Sequence, residues 1–384
     1  MEWIRKLVIV NLIVIISLNI SVGTTTSHVN DHEIKITKLG QITTTGRSYR
    51  MHVEDDLAFV ADSVEGLKII DITNPSNPEL IGQYLDGGFP FDLHIEGNLV
   101  YFADHGGGLK IVDFTDPTNP TLIGQFTDED WSRDVQVIGD LAYVADWEDG
   151  IEILNISDPT QPFKISDIGS EVFSLFVTVN LVFAAGEILK IYDVSDPFNP
   201  IEVGVYDTGN ASNEIYVDGN LAYVAAWNKG FVILDVGDPA NITLLGQYIE
   251  EGIGSDGVYI KNEVALVADY TNGVLALNIS NFANITKIGH FHDGGEAYMV
   301  EMIGNLVYVA DGTDGFEILQ IGGLFESSTT YITSTTMTTT TESVSTSETK
   351  DSPGFELHLI FFGFTFFLLI KKNRGKKSSK YDGC

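Results

Sequence analysis

The sequence predicts an all-β protein: a seven-bladed β-propeller of four-stranded blades, closed by its N-terminal strand, with an N-terminal signal helix and a C-terminal membrane segment. Three observations carry the propeller. A strand ending in Ala-Asp or Ala-Ala recurs seven times, at Ala61, Ala103, Ala145, Ala184, Ala225, Ala268 and Ala310, in steps of 42, 42, 39, 41, 43 and 42 residues. That period belongs to four-stranded propeller blades. Within each unit the apolar residues form short runs rich in Val, Ile, Tyr and Phe, bounded by Gly, Asn, Asp and Pro, which is the punctuation of strands and not of helices. The seventh unit lacks an outer strand, and one resembling it, Ile34 to Gln41, precedes the first unit.

In the third unit, Asp134 to Ile138 reads as the innermost strand and Leu141 to Ala145 as the second, joined through Gly139-Asp140. Gly150 to Ile156 is the third. Ser157-Asp-Pro-Thr-Gln-Pro162 turns the chain, because proline fixes φ and lacks the N–H that a strand interior needs. Phe163 to Ile168 is the outer strand. Runs apolar on both faces, such as Leu57 to Ala61, suit sheets packed between two neighbours. Ile34 to Gln41 then completes the seventh blade, so that the ring leaves no long unpaired edge. The predicted propeller spans residues 31–323.

The third strands include Leu67-Lys-Ile-Ile-Asp71, Leu109-Lys-Ile-Val-Asp113, Ile151-Glu-Ile-Leu-Asn155 and Leu189-Lys-Ile-Tyr-Asp193. They resemble the LVIVD-repeat family of secreted and surface proteins, which implies a β-propeller and supplies no catalytic residues. The resemblance runs through all seven units and weakens in the last two, at Val274 to Asn278 and Phe316 to Gln320.

The flanks concern location. Arg5 and Lys6 followed by an apolar stretch, Leu7 to Ile20, and Ser21-Val-Gly23 read as a signal peptide over 1–23. Residues 324–352 form a Thr/Ser-rich stalk, with 17 Ser or Thr among the 23 residues from Ser327 to Thr349, too polar to fold alone. Residues 353–384 read as a membrane anchor or sorting signal: Ser352-Pro-Gly-Phe-Glu356, the apolar run Leu357 to Ile370, then a basic tail, an order that resembles the PGF-type sorting signals of archaeal surface proteins. As a helix that run would reach only about 21 Å against a hydrocarbon core of roughly 30 Å. The basic tail on the inner side leaves the propeller extracellular.

Without the eight basic and three acidic residues of 1–6 and 356–384, 13 Lys and Arg face 51 Asp and Glu, a net charge of about −38. Such a surface repels nucleic acid phosphates. The single cysteine, Cys384, excludes an intramolecular disulfide and a thiol nucleophile in the propeller. There is no nucleophile elbow, phosphate loop or zinc signature, so no catalytic or metal-ligating residue is assigned and enzymatic activity is left open. His290-Phe-His292 share a strand face without further metal ligands.

One face collects the loops joining strands two and three and those joining successive blades. It brings His105, Trp147, Trp227 and Tyr270 together with Trp131, Asp128, Asp130 and Glu296 as candidate ligand-binding residues on an acidic, aromatic rim. These positions differ from blade to blade, so the repeat does not require them. Aromatic faces beside carboxylates can grip sugars or basic peptides. No cofactor is indicated; calcium would need a site assembled from several loops, since no loop has EF-hand spacing. Of the sequons, Asn210, Asn241 and Asn284 are the glycosylation candidates, with Asn210, in a blade-joining loop, expected to be the most accessible. The expected function is a cell-surface module, membrane-anchored at its C-terminus, that binds a protein, peptide or glycan. The alternatives are an extracellular enzyme using rim carboxylates and a structural surface-layer component.

Overall fold

A computed structural model describes residues 34–85, 87–127, 130–169 and 171–322, and the backbone of 355–362 and 365–372. Residues 34–322 form seven four-stranded antiparallel sheets. The innermost strands are Ser48–Glu54, Pro90–Glu96, Ser132–Ile138, Val172–Val177, Glu214–Asp218, Gly257–Lys261 and Met299–Ile303. Blades are numbered here in that order. In the third unit the strands follow the predicted bounds closely, with Leu141–Asp146, Gly150–Asn155 and Phe163–Ile168 outside the innermost one.

The closing strand is present. Lys35–Ile42 pairs antiparallel with Gly315–Gly322, from Lys35 opposite Gly322 to Ile42 opposite Phe316, as the outer strand of blade 7. Seven hydrophobic clusters, one between each pair of neighbouring blades, hold the ring. The cluster joining Met51, Val53 and Val60 of blade 1 to Tyr308, Ala310, Phe316 and Ile318 of blade 7 closes the circle. Sheets covered on both sides explain why the second and third strands are buried almost throughout.

Charge placement shows complementarity inside the repeat. Blade 4 pairs Lys190 of its third strand with Glu202 of the outer strand, 3.9 Å apart. Blade 3 reverses the pair, with Glu152 on the third strand and Lys164 on the outer at 2.9 Å. Blade 7 repeats the reversal with Glu317 and Lys38, the lysine coming from the closing strand.

The turns leading to the outer strands are built as the sequence suggests: Asp116 Oδ1 accepts the Thr118 N–H at 3.0 Å, and Asp158 Oδ1 that of Thr160 at 3.0 Å. Each turn abuts the outer strand of the preceding blade. A Cβ on Gly82 would lie 1.8 Å from Pro117 O, and one on Gly124 2.0 Å from Pro159 O. In blade 3 the same place is taken by Ser166, whose hydroxyl donates to Pro197 O at 2.6 Å. Gly124→Val should therefore lower unfolding free energy by about 1–3 kcal/mol, and Gly124→Ser by less than half of that, in denaturant melts. Equal losses would mean that the Cβ shared by both residues, and not the bulk beyond it, sets the cost at this position.

The signal peptide (1–23), the stalk (324–352) and half of 353–384 lie outside the described residues. Where the sequence suggests a single apolar span, the backbone shows an antiparallel hairpin of Phe355–Phe362 and Thr365–Lys372, part of a second compact unit. Among the described residues no helix is long and apolar enough to cross a membrane.

Candidate functional site

The innermost strands of blades 1 to 4 each begin with a bulge. Ser132 pairs with Asp146 and Asp134 with Ala145, leaving Arg133 as the extra residue; Tyr49, Phe91 and Phe173 occupy the same place in blades 1, 2 and 4. Bulges re-aim side chains, here toward the mouth of the central channel. The result is a collar of rings. From Phe173 it passes to Trp147 at 5.6 Å, Trp131 at 5.5 Å, His105 at 4.3 Å and Phe89 at 5.4 Å. It continues through Tyr49 at 5.7 Å, Tyr298 at 4.9 Å, Tyr270 at 5.5 Å and Trp227 at 5.5 Å. Every blade contributes at least one ring.

Two collar residues are held against their backbone preference. Trp227 and Tyr270 both have φ of 41°, where the corresponding Gly312 of blade 7 has 51°. Each bridges the strand entry of the next blade, Trp227 to Ser255 and Tyr270 to Ala297, as Gly312 does to Ser48. A bulky residue at positive φ costs on the order of 1–3 kcal/mol. Glycine fills this position without strain in blade 7, so the turn alone does not call for an aromatic side chain.

Inside the collar lies a half-buried cation, Arg133. Arg133 stacks over Phe91, Trp147 and Phe173 at 4.8, 5.2 and 4.9 Å from their centroids, and its buried Nε has no hydrogen-bond partner. Burial first, then neighbouring Arg50, lowers its pKa to about 10. Phe91, His105, Trp131, Arg133 and Trp147 line a cavity of about 110 Å³. Burial also lowers the pKa of His105, with Arg133 acting in the same direction and Asp104 opposing.

Below the collar the channel narrows onto Arg50, Asp92, Asp134, Ser174 and Glu214, at matching positions in blades 1 to 5. They line a second cavity of about 110 Å³. Arg50 donates to the carbonyl of Tyr298 in neighbouring blade 7 at 3.2 Å and across the channel to that of Asn213 at 3.4 Å. The carboxylates cap the open edge of the neighbouring blade: Asp92 accepts from Val135 N at 3.2 Å, Asp134 from Leu175 N at 2.8 Å and Glu214 from Val258 N at 3.3 Å. Burial raises the pKa of Glu214 to about 7 and of Asp256 to about 6, in both cases against the pull of Arg50. Asp92 is raised well above its ordinary range by burial and by neighbouring Asp134. A lower ring includes His94, whose pKa burial and His52 bring down to about 4.

The structure brings His105, Trp131, Trp147, Trp227 and Tyr270 into the one collar. Glu296 joins it through an ion pair to Arg47 at 2.7 Å and a bond from the Tyr270 hydroxyl at 3.0 Å. Asp130 is half-buried beneath it, accepting the Trp131 N–H at 2.7 Å, and Asp128 lies outside the described residues. Tyr49, Phe89, Phe91, Arg133, Phe173 and Tyr298 were not legible as rim residues. His290 and His292 stack with ring centroids 6.3 Å apart, and His290 is engaged with Asn272 O at 2.6 Å. Among the sequons, Asn241 and Asn284 are exposed, whereas Asn210 is half-buried and bonded to Asn228, the reverse of the expected order of accessibility. Asn155 and Asn278 cap their turns through Ser157 N at 3.1 Å and Ser280 N at 2.9 Å.

Comparison with solved structures gives the same fold at low identity. The computationally designed Ika8 protein is similar at a TM-score of 0.55 and 10% identity, over 74% of this chain and 99% of that one. The β-propeller domain of Myceliophteria thermophila Cps50 (Swd1) is similar at a TM-score of 0.62 and 12% identity, with the same coverage of 74% and 99%. No curated protein matches the sequence. The LVIVD repeat model matches residues 45–86, 87–128, 131–167, 179–208, 209–250 and 294–332, passing over blade 6 but including blade 7. With more than half of its length matched, the chain belongs to the LVIVD-repeat family.

Proposed function

We propose that this propeller is a ligand-binding module of the cell surface, and that its ligand, a protein, peptide or glycan, docks on the aromatic collar around the channel mouth. The observation that carries this reading is the chain of rings contributed by all seven blades, two of them at strained backbone positions. Flat rings offer stacking area at little cost in side-chain entropy. Trp131 and Trp147 are 44% and 40% exposed, enough to meet a partner. The N-terminal signal, the Thr/Ser stalk and the C-terminal anchor or PGF-like sorting segment would export the propeller and hold it outside the membrane.

The test is capture from glycan and peptide arrays by the full chain. Trp131→Ala and Trp147→Ala should each weaken capture about tenfold or more while leaving the thermal midpoint nearly unchanged. Undiminished capture by both variants would sink the assignment. A hydrolytic reading has one observation in its favour, the carboxyls with raised pKa in the channel. Their bonds to edge amides account for their placement without catalysis. Turnover of an array ligand, abolished by Glu214→Gln, would favour that reading instead.

A further inference from the structure

The closing blade carries four carboxylates in one place. Asp293 follows the outer strand of blade 6, Asp311 ends the second strand of blade 7, Asp314 lies in the next loop and Glu317 on the third strand. One oxygen from each can be chosen so that all lie within 4.8 Å of one another, and among the described residues this is the one such cluster. Asp311 and Glu317 are 3% and 1% exposed. Lys38 of the closing strand reaches Asp293 at 2.8 Å and also contacts Glu317, so a single ammonium faces four acids.

Acid clusters alone are common; the state of Asp311 separates this one. In other blades the corresponding aspartate spends at least one oxygen on a local donor, although Asp62 still keeps a buried Oδ2 without a partner. Asp62 Oδ1 accepts from Val64 N at 3.0 Å and Glu65 N at 2.8 Å, Asp104 accepts from Phe89 N, and Asp269 accepts from Gly254 N and from Asn272 at 3.1 Å. In blade 7 the Gly295 N–H donates to Asp293, and Asp311 Oδ1 is buried with no partner beside the three other carboxylates. A buried carboxylate oxygen without a donor is costly.

We propose that Asp293, Asp311, Asp314 and Glu317 form a calcium site at the point where the ring closes. All four donors are oxygens, which selects a hard cation over zinc or copper. Calcium binds oxygens at about 2.3–2.6 Å and accepts irregular geometry, so oxygens across the ion lie roughly 4.8 Å apart, whereas magnesium demands tighter octahedral packing. Lys38 competes for two of the ligands, so the affinity belongs to the weak range of extracellular modules, a Kd of about 0.1–1 mM.

Thermal melts of the full chain in EDTA, calcium and magnesium test this, with calorimetric titration of calcium alongside. Calcium at about ten times its Kd should raise the midpoint by about 2 °C or more. Asp311→Asn should melt higher than the parent in EDTA, because it removes a buried acid, and should lose the calcium response. Asp314→Asn, at a half-buried loop position, should lose that response without touching the core, and Lys38→Met should bind calcium about tenfold more tightly. Identical melts in calcium and EDTA, a calcium response retained in both Asp variants, or an equal shift from magnesium would each overturn the site.

Discussion

Deleting residues 34–42 should abolish the cooperative unfolding transition or lower its midpoint by more than about 10 °C. Ile34 and Ile36 are buried in the cluster between blades 6 and 7, and each contributes about 1.5–3 kcal/mol by leaving water. The ladder from Lys35 to Ile42 adds its hydrogen bonds, and Gln41 reaches Asp314 O at 2.7 Å. Loss of roughly 5 kcal/mol or more is comparable with the whole stability of many domains. It would also leave Gly315–Gly322 as an open edge, so the truncated chain should aggregate on heating. A synthetic peptide of residues 34–42 supplied in trans should restore part of the midpoint by adding the missing strand. If calorimetry shows the truncated chain melting within a degree or two of the parent, ring closure is not what holds this propeller.

Closure is legible in the sequence because it depends on counting: a unit short of one strand at the end and a strand to spare at the start. The period and strand punctuation are local properties, repeated often enough to be read directly. Bulges are different. Whether Arg133 or Asp134 faces the channel depends on the pairing of Ser132 with Asp146, and a period-two reading begun at Asp134 passes over the extra residue. Tyr49, Phe91 and Phe173 therefore carry no sequence signal that sets them apart from ordinary strand aromatics.

The loop aromatics were legible for the opposite reason. His105, Trp147, Trp227 and Tyr270 lie within two residues of the end of a second strand, where the repeat leaves the residue type free. A signal for the channel was also present, since Arg50, Asp92, Asp134, Ser174 and Glu214 fall at one repeat position and carry polar groups inside otherwise apolar strands. Their meaning required knowing that the innermost strand has an unpaired edge. The Asp293, Asp311, Asp314 and Glu317 cluster assembles from two loop positions and two strands, so no single segment displays it.

Replacing Arg50 by Met should destabilise the protein by about 3–5 kcal/mol at pH 8 and by much less at pH 5. The guanidinium is the cation closest to the channel carboxyls, 3.9 Å from Asp256, and it lowers the pKa of Asp92, Glu214 and Asp256 against burial. The sign follows from those directions. An acid whose folded pKa stands above its unfolded value binds its proton more tightly in the native state, so stability falls as pH rises from the unfolded value through the folded one. For Glu214 that window runs from about 4.5 to about 7, and for Asp256 from 3.8 to about 6. Without Arg50 the carboxyls shift further upward, and at pH 8 they must ionise uncompensated or hold protons at a free-energy cost. At pH 5 they are largely protonated, and the arginine has little charge to answer. Glu214→Gln added to Arg50→Met should therefore recover part of the loss at pH 8 and almost none at pH 5. Urea titrations of the parent, single and double variants at both pH values measure this directly. Equal losses at the two pH values would show that Arg50 acts through its carbonyl bonds and not through the acids beneath it.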